Sequence, residues 1–458
     1  MPEVRAGVAP GGRKCVLVTT RSDFQETHAL AEALGLKVVS VEVQRRDAPD
    51  PRTFIGKGKT TEIKDKAKEL GADLIIVNGE LKPSQVHGLQ SATGLEVYDR
   101  VRLIVEIFTS RAASQEARLQ VELATLKHRV PFIKETISLS KRGEHPGLLA
   151  GGEVGTHQYL TEITRRMARI QRELDDVVRV REVRRKGRQR RSYVTVSIAG
   201  YTNAGKTSAL NLLTEAGAEV DSRMFSTLSP LSRSVEGIEG RILINDTVGF
   251  IEDLPPWLIE AFNSTLEELY SSDLVLLVLD VGEPADVLER KALTSLEILK
   301  RAEETPPILS LLNKVDMVAP SELKVKDEGL RQRGLLVGPW LPVQLNVQRP
   351  NRRMALREVL IQAILGNLRT VATLDLVYDV KTNPFELLVD VDGNRIGLVD
   401  VVRERAIYLD MSHRSEGRIT LAVDRKFQSK LNEIIDDIPG RPVQLIIHEM
   451  NNSSDEKI

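Results

Sequence analysis

One cysteine, Cys15, in 458 residues excludes an intramolecular disulfide and a cysteine-held metal cluster. It stands in the apolar run Cys15-Val16-Leu17-Val18, where a thiol behaves as a small buried hydrophobe. No run reaches the roughly 18 apolar residues that a membrane-spanning helix needs. The opening segment MPEVRAGVAPGGRK has no apolar signal core, so a cytoplasmic chain with no membrane partner is expected. The seven histidines show no metal-ligand spacing, and no repeat of solenoid period is visible. An excess of one charge is missing too. Sixty-four Lys and Arg offset 65 Asp and Glu, so any affinity for a polyanion must come from local clustering. What is present is ordinary for a folded chain: 41% apolar and 28% charged residues, too apolar for a largely disordered protein. At roughly 150 residues per domain the length suits about three domains.

The patterning divides the chain. Over 1–110, CVLVTT, KVVSVEV, DLIIVN and RLIVEIF read as strands alternating with helices, the mark of an α/β layer domain. Over 111–191 the period changes. Leu119, Leu123, Leu126 and Val130 recur at helical spacing, and Leu160, Ile163, Met167, Ile170, Leu174 and Val177 form a heptad seam. The pattern predicts an antiparallel helical hairpin joined by the Gly-rich loop KRGEHPGLLAGGEVG and followed by a basic linker. Residues 165–191 hold twelve Lys or Arg against four acids, a local excess of eight in a neutral protein. A solvated helix face is one account of that excess; phosphate contacts by Arg184, Arg185, Lys186, Arg188, Arg190 and Arg191 are the other. From 192 to 368 the runs YVTVSIAG, ILINDTVGF, LVLLVLDV and ILSLLNKVD are apolar throughout, as strands of a parallel sheet covered on both faces are. From 369 to 450, LDLVYDV, FELLVDV, RIGLVDVV, AIYLDM, RITLAV and VQLIIHE, with the helical KFQSKLNEIIDDI, predict a small, mainly antiparallel α+β domain ahead of a polar tail at 451–458.

Three motifs carry chemistry. Gly200-Tyr201-Thr202-Asn203-Ala204-Gly205-Lys206-Thr207 fits G-x-x-x-x-G-K-[ST] between an apolar run and the helix-like segment that starts at Ser208. Backbone N–H groups and a helix N-terminus there face a β-phosphate, Lys206 supplies positive charge, and the Thr207 hydroxyl suits Mg²⁺. Asp246-Thr-Val-Gly249 follows RILIN, which puts a carboxylate for Mg²⁺ and a glycine N–H for the γ-phosphate at a strand end. Asn313-Lys314-Val315-Asp316 ends another apolar run. A carboxylate at Asp316 accepts from both guanine N1–H and N2–H₂, donors that adenine lacks, so the three motifs together define a GTP/GDP site with Mg²⁺ as cofactor. Phe250 follows Gly249 where Ras-type GTPases carry the glutamine that orients the attacking water. A phenyl ring cannot do that, so with Lys206 and Gly249 as the other candidate catalytic residues, slow intrinsic hydrolysis completed by a partner is expected; a core role for Phe250 is the alternative.

On these residues the sequence resembles the HflX family of translational GTPases. The resemblance covers about residues 50–315 and rests on FIGKGKTTEIKDKAKELGADLIIVNGELKPSQ, SRAASQEARLQVELATLKH, GYTNAGKT and above all DTVGFIEDLPPWLIEAFNSTLEEL. It implies an N-terminal α/β domain, a helical hairpin and a GTPase domain that binds the large ribosomal subunit and its RNA, in rescue or splitting of stalled ribosomes. Departures fall at the family's switch I, which here reads Phe225-Ser-Thr-Leu-Ser-Pro-Leu231, with leucine in place of a threonine. The hydroxyl that closes over Mg²⁺ is then Thr227, Ser229 or Ser232, with Thr227 the candidate taken here. Val343-Gln344-Leu345-Asn346 replaces the usual Ser-Ala segment behind the guanine, and AGGEVGTHQYLTE only partly echoes the family's glycine loop, as in a divergent or archaeal member. Gly56-Lys57-Gly58-Lys59 either cradles phosphate or RNA, or is a turn before a helix. Other readings are a GTP-regulated interaction module in signalling or RNA modification and, against the guanine motif, a small-metabolite kinase. Nothing in the sequence demands more than a monomer.

Overall fold

The computed structural model describes residues 12–21, 23–45, 48–112, 114–141, 152–190, 193–214, 231–235, 242–247, 249–251, 263–302, 304–368, 371–379, 384, 387–391, 394–411, 413–438 and 443–447. These fall into two compact units, the first made of the described residues up to Val180 together with Asn263 and Ser264, the second of the rest.

The first unit opens with four parallel strands: β1 (Lys14–Thr19), β2 (Lys37–Val43), β3 (Leu74–Val77) and β4 (Glu96–Asp99), in the order β2-β1-β3-β4. Helices α1 (Gln25–Ala33), α2 (Lys57–Leu70), α3 (Pro83–Thr93) and α4 (Arg100–Arg111) connect and extend them. Val16, Val18, Ile63, Ile75, Val77 and Leu89 are fully buried between sheet and helices. Cys15 lies in that sheet with no exposed surface, and burial pushes its thiol up to about 12. RLIVEIF departs from expectation: it lies in α4, and the fourth strand is the less apolar Glu96-Val97-Tyr98-Asp99. A buried apolar run has no period to read. What starts the helix is the Asp99 carboxylate, which accepts from the Arg102 N–H at 2.7 Å.

Helices α5 (Gln115–Lys141) and α6 (Gly152–Arg190) follow. Their seam is as expected: Leu119 and Leu123 pack with Ile170 and Leu174, with Leu126 and Met167 alongside. Two expectations are corrected. Residues 152–155 of the supposed Gly-rich loop open α6, and the supposed basic linker is the helical end of α6 rather than a linker. Arg, Lys, Glu and Gln are good helix formers, and between 156 and 190 there is no proline and a single glycine, Gly187.

The second unit holds a six-stranded sheet of β5 (Val194–Gly200), β6 (Leu231–Ser234), β7 (Ile242–Asp246), β8 (Leu274–Asp280), β9 (Ile308–Asn313) and β10 (Trp340–Val343). The order is β10-β9-β8-β5-β7-β6, parallel except for the edge strand β6. It is flanked by α7 (Lys206–Thr214), α8 (Asn263–Tyr270), α9 (Ala285–Leu299), α10 (Pro320–Gln332) and α11 (Pro350–Asn367). β8 and β9 are buried along almost their whole length, which is why their sequences are unbroken apolar runs.

The same unit ends in an antiparallel sheet of β11 (Val371–Tyr378), β14 (Ala406–Asp410), β15 (Arg418–Asp424) and β16 (Val443–Ile447), ordered β14-β15-β11-β16. It also holds the hairpin β12 (Leu388–Val391) and β13 (Asn394–Gly397), and helices α12 (Leu398–Arg405) and α13 (Arg425–Asp436). RIGLVDVV is only half strand: β13 stops at Gly397, and the next eight residues form α12. Val371, Ile407, Tyr408 and Ala422 of this part join the apolar core of the six-stranded sheet. Among the described residues no helix is long and apolar enough to cross a membrane.

Candidate nucleotide site

The site lies at the C-terminal ends of β5, β7, β8 and β9, where an open parallel sheet leaves room for a ligand. β5 leads through residues 200–205 into α7. The turn is made by Gly200 at φ +140°, Asn203 at +64° and Gly205 at +110°, conformations that a side chain makes costly at the first and last. The loop is braced on two sides. Phe250 N–H donates to Gly200 O at 3.0 Å, and Thr202 N–H donates to Phe250 O at 3.3 Å. Asn313 Nδ2 donates to Ala204 O at 2.7 Å, while Asn313 Oδ1 accepts from Leu345 N–H at 3.0 Å. Asn313 therefore uses both ends of its amide to join the phosphate loop to the segment after β10.

Lys206 is the electrostatic centre. It is buried, its Nζ donates to Tyr201 O at 2.6 Å, and it makes no ion pair with the described residues. Burial pushes its ammonium down to about 8, opposed by the Asp246 carboxylate. A polyphosphate supplies the negative charge this ammonium lacks. Gly249 approaches closely: a Cβ there would stand 2.8 Å from Thr202 Cγ2 and 2.9 Å from Lys206 Nζ. Asp246 is buried at the end of β7, and Thr207 and Ser208 are half-buried in the first turn of α7. A carboxylate and a hydroxyl flanking a lysine are hard oxygen donors of the kind Mg²⁺ takes, so Asp246 and Thr207 fit that ion.

The base end is built differently. Lys314 takes φ +67° and ψ 34°, and Val315–Met317 form a single 3₁₀ turn. Lys314 Nζ reaches Asp280 Oδ2 at 2.5 Å. Asp316 is exposed and makes no side-chain hydrogen bond or ion pair with the described residues, which leaves its carboxylate open to a base.

Phe250 is 4% exposed, and its ring belongs to the apolar core. Its backbone bridges Tyr201 as a short parallel pairing. Thr227 and Ser229 lie outside the described residues. Ser232 lies on β6, beside Leu231, which is paired with Asp246 in the antiparallel register. Arg184, Arg185, Lys186, Arg188 and Arg190 lie on α6 with side chains outside the described residues, and Arg191 lies outside them altogether. In the N-terminal domain, Gly56 is the extended residue before α2, and Lys59 Nζ is held at 2.7 Å by both Glu42 Oε2 and Glu62 Oε1. This favours the turn-before-a-helix reading of Gly56–Lys59. Two residues here are specified by no sequence motif: Thr247, whose hydroxyl donates to Ile198 O at 2.6 Å, and Asp280, a lone acid closing an apolar strand.

A phosphate loop, an Asp-x-x-Gly strand end and an Asn-Lys-x-Asp turn at the strand ends of one sheet are the marks of a P-loop GTP-binding protein. Family comparison is consistent along the chain. Residues 21–109 match the family described as GTP-binding GTPase N-terminal, residues 111–188 its Middle Region, and residues 195–314 the 50S ribosome-binding GTPase family. The GTPase HflX of Thermococcus kodakarensis is 43% identical over 321 residues, 69% of this chain and 72% of its own. That of Methanocaldococcus jannaschii is 41% identical over 298 residues, 65% and 73% of the two chains. The crystal structure of an SsGBP and GDP complex matches at 28% identity and a TM-score of 0.50, covering 77% of this chain and 98% of that one. The chain belongs to the HflX family of GTPases, and it is a GTP-binding GTP hydrolase.

Proposed function

We propose that this GTPase is a nucleotide-controlled switch that docks on the large ribosomal subunit in rescue or splitting of ribosomes and is released by hydrolysis. The observation that carries the reading is the match of residues 195–314 to the 50S ribosome-binding GTPase family, in a chain whose helix α6 ends in a basic stretch. Arg184, Arg185, Lys186, Arg188, Arg190 and Arg191 are the proposed contacts to ribosomal RNA phosphates. The protein works as a cytoplasmic monomer.

Each site residue has a part. The backbone of Gly200–Thr207 and the N-terminus of α7 hold the β-phosphate, and Lys206 neutralises charge toward the γ-phosphate. Gly249 N–H reports the γ-phosphate, Asp316 reads the base, and Asn313 keeps the two ends in register. Mg²⁺ would be held by Thr207 and Asp246, with Thr227 as the switch hydroxyl, and supplies charge neutralisation at the phosphates when bound. GTP engages the segment around 223–234 and the DTVGF segment, and loss of the γ-phosphate releases them.

Phe250, packed in the core, cannot orient water, so intrinsic hydrolysis is slow and the ribosome completes the site; such completion is worth up to about 10⁵ in rate in other GTPases. Co-sedimentation with purified large subunits tests the docking. Binding with a non-hydrolysable GTP analogue, weaker binding with GDP and loss on charge reversal of Arg184, Arg185 and Arg188 are expected. Equal pelleting of the charge-reversed protein would remove α6 from the mechanism; nucleotide-dependent capture of a different partner would favour an interaction module instead.

A further inference from the structure

Lys314 is a side-chain-bearing residue in the left-handed region, where L residues are rare. What holds it there is visible from three sides. Asp280 Oδ1 accepts from Gly282 N–H at 2.9 Å, which fixes the plane of the carboxylate, and Oδ2 takes Lys314 Nζ at 2.5 Å. The pair is largely out of water, with side-chain exposures of 10% for Asp280 and 25% for Lys314. The strand end bearing Asp280 is itself pinned. Val281 N–H donates to Asn313 O at 3.0 Å, and the buried Lys326 Nζ donates to Val281 O at 2.8 Å. Across the turn, Met317 N–H donates to Lys314 O at 3.0 Å, and a Cβ on Gly282 would lie 3.5 Å from the Met317 Cβ and Sδ atoms. Residues 280–282 thus form a platform under the 3₁₀ turn that displays Asp316.

We propose that Asp280 is a positioning residue for guanine recognition: through Lys314 it sets the 314–317 turn before nucleotide arrives, so Asp316 meets the base without an ordering cost. The proposal rests on the reading of Asn313–Asp316 as the guanine motif, with Asp316 as the group that meets the base. Asp280 touches neither phosphate-loop residues nor Asp246 through any hydrogen bond, so it acts on binding and not on the cleavage step. GTP and GDP share the base, and both must be affected alike.

The test is nucleotide release from the full chain, followed with a fluorescent GDP or GTP, together with steady-state hydrolysis. Asp280→Asn keeps the shape and loses the charge; release of both nucleotides is expected to quicken about tenfold, with KM rising in proportion and kcat within about twofold. Lys314→Met is expected to do the same, and adding Asp280→Asn to it to change release by less than about twofold, since both act through one pair. Unchanged release in Asp280→Asn, or effects of the two substitutions that multiply, would overturn the proposal. If Asp280→Asn does not fold, Gly282→Ala takes its place, because its Cβ would stand 3.1 Å from Asp280 Oδ1 and push the carboxylate. Faster release is then expected, and unchanged release overturns the proposal. Asp316→Asn is the control: it should weaken GDP and favour a xanthine nucleotide. Failure of that control would sink the base-recognition reading itself, whereas failure at Asp280 alone leaves it standing.

Discussion

Two Gly-Lys segments lead into helices of two parallel sheets in this chain, and they end in opposite electrostatic states. Before α2, Gly56 is ordinary extended backbone, and Lys59 sits between Glu42 and Glu62, its ammonium raised because those hydrogen bonds outweigh the cost of burial. Before α7, Gly200 and Gly205 take positive φ, and Lys206 is buried against a carbonyl with its ammonium lowered to about 8. Both segments look alike as strings of glycine and lysine. A phosphate site needs more than that: a loop bent by left-handed residues, and a cation whose compensating charge is left for the ligand to bring.

The sharpest way to break this comparison is to remove each lysine. Lys206→Ala should lower GTP turnover by about 10³-fold or more, the loss of a preorganised charge at the phosphates, while Lys59→Ala leaves turnover unchanged; a phosphate-release assay measures both. Equal losses would mean the N-terminal segment also serves the nucleotide.

The next effect is on pH. In the free protein Lys206 loses its proton near pH 8, and bound phosphates raise that value, so above pH 8 binding takes up a proton. Affinity for GTP should therefore be flat below pH 8 and fall by up to about tenfold per pH unit above it, and the Lys206→Ala protein should lack that slope. Calorimetric titration from about pH 7 to about pH 9.5 reads it directly.

At the brace the effect is on stability rather than on affinity. Asn313→Ala strips partners from Ala204 O and Leu345 N–H, and should cost about 2–4 kcal/mol of stability in the nucleotide-free GTPase domain by denaturant unfolding. GDP should restore part of it through linkage.

The smallest belongs to the other side of the comparison. Burial alone would raise the Glu42 carboxyl; hydrogen bonds from Lys59, Lys66 and Ser40 outweigh it and bring it from 4.5 to about 2. A carboxyl lowered in the folded state stabilises fully above its unfolded value and loses that contribution as pH falls from about 4.5 toward 2. Glu42→Gln should cost the N-terminal domain about 2 kcal/mol at pH 7, with the gap closing on acidification, and leave GTP hydrolysis unchanged.

The candidate nucleotide residues are legible because their chemistry is local. Gly200–Thr207, Asp246–Gly249 and Asn313–Asp316 each place backbone, charge and hydroxyl within a few residues at a strand end. The parts that brace them were not legible, because they join strands distant in sequence. Asp280 meets Lys314 across the β8–β9 register, and Asn313 meets Leu345 through β10. Two of the departures from the expected fold share one cause. RLIVEIF and LVDVV are β-branched runs that tertiary burial and a helix start at Asp99 or Gly397 turned into helix. Phe250 shows the limit from the other side: its place after Asp-x-x-Gly suggested chemistry, and its ring went to the core.

The measurement that bears most directly on the account is GTP hydrolysis by the purified chain with and without large ribosomal subunits, with Lys206→Ala as the control for contaminating activity. A slow basal rate raised tens-fold or more by the subunits, and absent from the control, is the predicted result. Tight GTP binding with no stimulation would contradict the account and leave the protein a nucleotide-dependent binding module.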